Sequence, residues 1–232
     1  MSLFGENRKK QIDEDNHWLS VSDLMAGLMM VFLFISIVLM RSALIERDKI
    51  KKIAATYQDT KVEIYKALMA EFEDDLVKWD AEINKKDLSF NFKSPEVLFA
   101  IGKNELRPKF KEILSNYFPR YMKIINEFKD SIEEVRIEGH TSSKWAGFSN
   151  DKAYFLNMNL SQGRTRSVLS YVYGLDSILS DRAWIKKNIA AVGYSSSKLI
   201  VKDGVEDAEH SRRVTFKLIS NSEIQILKII GE

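Results

Sequence analysis

The chain contains no cysteine, three histidines and three prolines in 232 residues. Lack of cysteine excludes disulfides and thiol chemistry, and three scattered histidines give no structural zinc pattern. A Gly-x-Ser-x-Gly elbow is absent, so the sequence offers no serine-hydrolase nucleophile. An excess of either charge is absent too. With 35 basic and 33 acidic residues the net charge is +2, which gives no basis for nucleic acid as a direct partner. The expectation is a protein that is not an enzyme, with no catalytic residues, no bound metal and no cofactor.

Long apolar runs are also scarce. There is one, from Trp18 to Met40, and Asp23 is the sole charge among its 23 residues. A helix of that length spans about 34 Å, enough for a hydrocarbon core of roughly 30 Å. A cleaved signal peptide would have a shorter apolar region ending in small residues, whereas this run ends Leu39-Met40-Arg41. The segment reads as a retained transmembrane helix. Arg8, Lys9 and Lys10 precede it and Arg41, Arg47 and Lys49 follow, so flanking charge sets no orientation.

A carboxylate inside such a helix costs about 2.5–3.5 kcal/mol on insertion scales at the helix centre. Asp23 must therefore face protein or water, or take up a proton. Its helix face carries Ser20, Ala26, Gly27 and Met30, small enough for another helix to approach closely. Leu24, Leu28, Val31 and Ile35 suit lipid. One helix cannot enclose a carboxylate, so Asp23 implies a partner with several helices. Three readings follow for it: a place near the headgroups where its cost is small, a fixed hydrogen bond that sets assembly, or reversible protonation that carries ions.

Proline and glycine are both missing between Arg41 and Lys86. There Ile50, Ile53, Tyr57, Ile64, Leu68, Phe72 and Leu76 recur mostly at helical steps. The stripe fits a helix packed on its own domain or one paired with a second copy. After Asp87 the pattern changes. Strands are expected at 88–92, at Glu134–Thr141 with Val135 and Ile137 on one face, at 189–194 and at 212–219. Helices are expected from Pro108 to Phe128, with a kink or break at Pro119, and at 158–175 and 181–188. A loop is expected at 142–150.

Two clusters carry the candidate chemistry. Gly139-His140-Thr141-Ser142-Ser143 ends a strand, and Asn157 to Val168 enters a helix. His140 reads as a structural histidine. Asn157, Leu160, Ser161 and Arg164 share one side of what reads as a helix N-terminus, where an arginine fork and free N–H groups suit a carboxylate.

Together, Gly139-His140-Thr141, Asn157-x-x-Leu160-Ser161-x-x-Arg164, Arg212-Arg213-Val214 and the segment Phe99 to Pro108 resemble the OmpA-like peptidoglycan-binding domain. The helix with Ser22-Asp23-Leu24-Met25 and Leu28-Met29 resembles MotB-type stator subunits. The Trp18-Leu-Ser-Val-Ser-Asp23 opening is most similar to the MotB-like subunits of Zorya antiphage defence systems. The resemblance implies an α/β fold: a single N-terminal transmembrane helix, a helical linker and an OmpA-like βαβ sandwich domain. Its expected bounds are a cytoplasmic leader at 1–17, the span at 18–40, a linker and dimerisation segment at 41–86 and the wall domain at 87–232.

It also implies Asp23 as the carrier of a translocated ion, a proton before sodium. Peptidoglycan contacts are implied for Thr141, Ser142, Asn157, Leu160, Arg164 and Arg213. The implied partners are a multi-span MotA/ZorA-type protein, a second copy in a homodimer, peptidoglycan and, indirectly, cytoplasmic defence effectors. The implied location is the inner membrane, N-terminus in the cytoplasm and C-terminal domain in the periplasm. A flagellar stator subunit and a passive wall-tethered anchor are the alternatives. Ser142 departs from the family, which often has an aspartate there that, with the arginine, holds diaminopimelate. Serine can accept a hydrogen bond from an amine but adds no charge.

Overall fold

The structure is a computed structural model that describes residues 3–93 and 95–221, with the backbone alone at 3–17, 19, 20, 95 and 96. The parts of the expected leader and wall domain at residues 1–2, 94 and 222–232 lie outside the described residues, as does the side chain of Ser20. The chain divides into two compact units, Met1–Ile53 and Ala54–Glu232, each taken here by itself.

The first unit is one helix, part of α1 (Leu3–Leu76). Its apolar stretch, with a mean hydropathy of 2.5, is long and apolar enough to cross a membrane once. Asp23, Ala26, Gly27 and Met30 are all exposed on it, as are Leu24, Leu28, Val31 and Ile35.

The second unit opens with the end of α1, and here the expected boundary at residue 87 moves. Ile64, Leu68 and Phe72 are buried in the domain's own core. The stripe from Ile64 onward is thus satisfied within the chain. The helix ends at Leu76, and Ala81–Asn84 forms β1, a strand that the sequence reading placed inside the linker. The rest follows as β2 (Ser89–Phe92), α2 (Pro95–Leu98), α3 (Pro108–Glu127), β3 (Ile132–His140) and α4 (Asn150–Tyr173). A 3-10 turn (Asp176–Asp181) leads to α5 (Arg182–Asn188), β4 (Ile189–Gly193), the short pair β5 (Val201–Lys202) and β6 (Val205–Glu206), α6 (Ala208–Ser211) and β7 (Arg213–Ser220).

Five strands form one sheet in the order β1-β2-β7-β3-β4. Only β3 and β4 run parallel, joined by the crossover through α4 and α5; the other pairs are antiparallel. Alternation puts Phe90, Phe92, Val214, Phe216, Val135 and Ile137 on the helix-covered face, where all are buried. Tyr117 of α3 sits at their centre, with ring centroids 4.6 Å from Phe90, 5.2 Å from Phe92 and 5.1 Å from Phe216. Phe72 of α1 joins them 5.2 Å from Tyr117. The kink expected at Pro119 does not end α3, which runs uninterrupted through it. Tyr117, Phe118, Tyr121 and Met122, buried on both sides of Pro119, offset the lost backbone hydrogen bond.

The other sheet face is polar yet also buried. Thr215 Oγ1 donates to Asn91 Oδ1 at 2.6 Å, and Asn91 Nδ2 donates to Ser89 Oγ at 3.2 Å. These bonds make the burial of Asn91 and Thr215 tolerable.

Candidate functional site

Two glycines place the site. A Cβ on Gly139 would lie 2.8 Å from the Ser161 carbonyl oxygen, and one on Gly193 2.5 Å from the Gln162 amide nitrogen. The bare backbones of β3 and β4 therefore let α4 lie directly against them. Ser161 Oγ then accepts from the Ser195 amide at 3.1 Å, and the Ser195 carbonyl accepts from the Thr141 amide at 2.9 Å. This chain of bonds fixes the loop after β3 beside the middle of α4.

Between that loop, α4 and the turn after α2 lies a cavity of about 330 Å³. Thr141, Ser142, Asn157, Leu160 and Arg164 all line it, so the structure brings together five of the six residues expected to contact peptidoglycan. Arg213 does not line it. It pairs across the sheet with His140 and donates to the carbonyls of Lys198 and Ser211 at 3.3 and 3.2 Å. Arg212 lines the cavity in its place, with Lys144, Phe99 and Trp145, none of which was among the expected peptidoglycan contacts.

The expected helix N-terminus is also corrected. Helix α4 starts at Asn150, not 158, so Asn157 and Arg164 sit well inside it and the terminal N–H groups do not serve this cavity. The local positive charge comes from side chains. Arg164 is 9% exposed and donates through Nε to the Lys103 carbonyl at 3.0 Å. Its guanidinium carbon stands 4.7 Å from the Phe99 ring centroid. Burial first, and then the charge of Arg212, lowers the Arg164 pKa from its usual value to about 10. It is still protonated at neutral pH. Asn157 is buried, and its Nδ2 donates to the Ser142 carbonyl at 3.0 Å, which ties the loop to the helix.

Two polar atoms at the cavity are without a partner among the described residues: Thr141 Oγ1 and Arg212 Nε, both buried. Arg164, Arg212 and Lys144 supply the charge there, and among the described residues no acidic side chain lines the cavity. The walls are Phe99, Trp145 and Leu160. Such a lining accepts a carboxylate carried on a short apolar arm.

His140 lies outside the cavity, buried, with its ring stacked on Tyr194 at 5.4 Å. Its Nε2 is 3.3 Å from Glu138 Oε2, but neither ring nitrogen meets hydrogen-bond geometry. The contact is a close approach without a directed bond. Among the described residues no group of three His, Asp or Glu side chains is placed to hold a metal ion.

Residues 98–213 match the OmpA family. Over 232 residues the chain is 54% identical to the Zorya protein ZorB of Escherichia coli (strain Crooks), covering 99% of each chain. Among solved structures, a putative MotB-like protein from Desulfovibrio vulgaris is 21% identical, with a TM-score of 0.48, over 69% of this chain and 91% of that one. The periplasmic domain of Helicobacter pylori MotB is 15% identical, with a TM-score of 0.43, over 65% of this chain and 88% of that one.

Proposed function

From this chain's membership of the OmpA family, and within it of the ZorB proteins, we propose that it is the wall-anchored subunit of an ion-driven stator complex serving Zorya-type antiphage defence. The observation that carries the reading is the end-to-end identity of 54%, which takes in both the apolar helix and the domain. Each half has a physical part to play. The cationic cavity holds a carboxylate of peptidoglycan and keeps the subunit still. Asp23 on the small-residue face of α1 offers a titrating group to a multi-span partner that moves against it.

A single exposed helix leaves Asp23 unenclosed, so the reading requires that partner, and a second copy of this chain fits the same requirement. The cavity ligand belongs in the periplasm, which orients the chain with its N-terminus in the cytoplasm and its span in the inner membrane. The translocated ion is a proton, since a lone carboxylate needs no further ligand to bind one.

The test is Asp23→Asn, which keeps shape and hydrogen bonding but cannot ionise. Cells carrying the complete system with this variant should lose phage protection to the level of cells without the system. Protection at the wild-type level would leave the passive-anchor reading standing instead.

A further inference from the structure

Among the described residues the cavity is one-signed: Arg164, Arg212 and Lys144 line it, and no carboxylate does. An amino-acid end group presents both a carboxylate and an ammonium on one carbon. Here the carboxylate would be met by the guanidinium groups of Arg164 and Arg212, but the ammonium would find three cations and only neutral acceptors, the hydroxyls of Ser142 and Thr141 and the amide oxygen of Asn157. Like charges a few ångströms apart in a half-enclosed site cost more than a hydroxyl acceptor returns. Glu206 is outside the cavity lining, its carboxylate accepting from the Ser143 amide at 2.8 Å and from the Ser143 hydroxyl.

A second groove adjoins the cavity and shares Gly102, Trp145 and Leu160 with it. Its further lining includes the amide side chains of Asn104, Asn159 and Gln162. Primary amides supply both donors and acceptors, which matches a peptide backbone, and Lys103 and Arg166 in the same lining add donors for its carbonyls. Gly163 lets the Asn104 side chain close on α4, since a Cβ there would lie 2.8 Å from Asn104 Nδ2.

We infer that the cavity takes the carboxylate of a wall stem peptide whose neighbouring amine is acylated, with the acylating peptide lying in the adjoining amide-lined groove. The preferred ligand is therefore cross-linked peptidoglycan rather than a free stem. Acylation removes the positive charge that the cavity cannot accommodate and adds the backbone that the groove can bind. This rests on the wall-binding reading above.

The test uses the purified full chain in detergent and two soluble probes. One is a stem tripeptide ending in diaminopimelate with its side-chain amine free. The other is the same tripeptide with that amine acylated by N-acetyl-D-alanine, which leaves no free ammonium beside the carboxylate. Titration calorimetry should show the acylated probe binding about tenfold tighter or more. Equal affinity, or tighter binding of the free amine, overturns the inference while leaving wall binding intact. Binding of neither probe overturns the wall-binding reading itself, and the inference with it. Two variants separate the contributions. Ser142→Asp restores an acid and should reverse the preference, and Asn159→Ala with Gln162→Ala should weaken the acylated probe alone by several-fold. A Ser142→Asp protein with unchanged preference also counts against the inference.

Discussion

At His140 the chemistry is that of burial. The ring lies under Tyr194, faces Glu138, and has Arg213 and Lys198 close enough to repel a proton. Burial is the largest influence and lowers its pKa from the usual value of about 6.5; Glu138 opposes this only in part. In the interval below that value the unfolded chain binds more protons than the folded one. Stability is therefore full above pH ~6.5 and declines as pH falls, levelling off below the folded-state pKa. Urea unfolding followed by tryptophan fluorescence should show a lower midpoint at pH 5.5 than at pH 7.5, and His140→Gln should flatten that difference. An undiminished slope in the variant assigns the pH dependence to other groups. The adjacent pair Arg212 and Arg213 shows how much the sequence discloses at this scale. Val214, Phe216 and Leu218 were legible as the inner face of the last strand. Counting back by two from Val214 reaches Arg212, on the side of the helices and the cavity, while Arg213 shares its face with Thr215. The parity signal for Arg212 was present; the family motif alone does not say which arginine turns inward. Phe99 and Trp145 carried no such signal, because only the folded chain brings the turn after α2 and the loop after β3 to α4.

At the scale of elements, the approach of α4 to the parallel strands decides the site. Gly193→Ala would set a methyl 2.5 Å from the Gln162 amide nitrogen and 2.7 Å from Ser161 Oγ. The neighbours are backbone and a buried hydroxyl already bonded to Ser195, so α4 itself has to shift. A cost of about 1–3 kcal/mol is expected, a fall in melting temperature of about 2–4 °C for each kcal/mol. Since α4 carries Asn157, Leu160 and Arg164, the variant should also lose affinity for wall fragments while remaining folded by circular dichroism. Unchanged affinity would mean that the cavity tolerates displacement of the helix. The main strands and α3 were readable from alternation and periodicity. The start of α4 was not: the expected helix began at 158, whereas α4 begins at Asn150. In the fold, Asn157 bonds the Ser142 carbonyl and Ser161 bonds the Ser195 amide, so polar residues occupy the packed face of a helix. β1 escaped for another reason. Its four residues follow a helical stripe without a proline or glycine between them, and only the register with β2 makes them a strand.

At the scale of the molecule, the proposed function gives the chain two sites with separate failures, a cavity that anchors by binding the wall and an Asp23 that would need a surrounding partner. Leu160→Glu tests the first without cutting a buried hydrogen bond. Leu160 is a half-buried cavity wall, and a carboxylate there repels the ligand's own while drawing on the arginines. This variant should stay folded, still copurify with the proposed multi-span partner, and lose more than about tenfold of its pelleting with isolated sacculi. Asp23→Asn should pellet like wild type, because nothing in the cavity depends on it. Both should abolish phage protection. Coexpression of the two variants distinguishes shared from separate duties within a dimer. If each copy must both anchor and titrate, the mixture protects no better than either alone. If one anchored copy and one titrating copy suffice, protection returns in part. A Leu160→Glu protein that no longer pellets yet protects fully would separate anchoring from defence, and would leave the ion-carrying helix as the working part of the molecule.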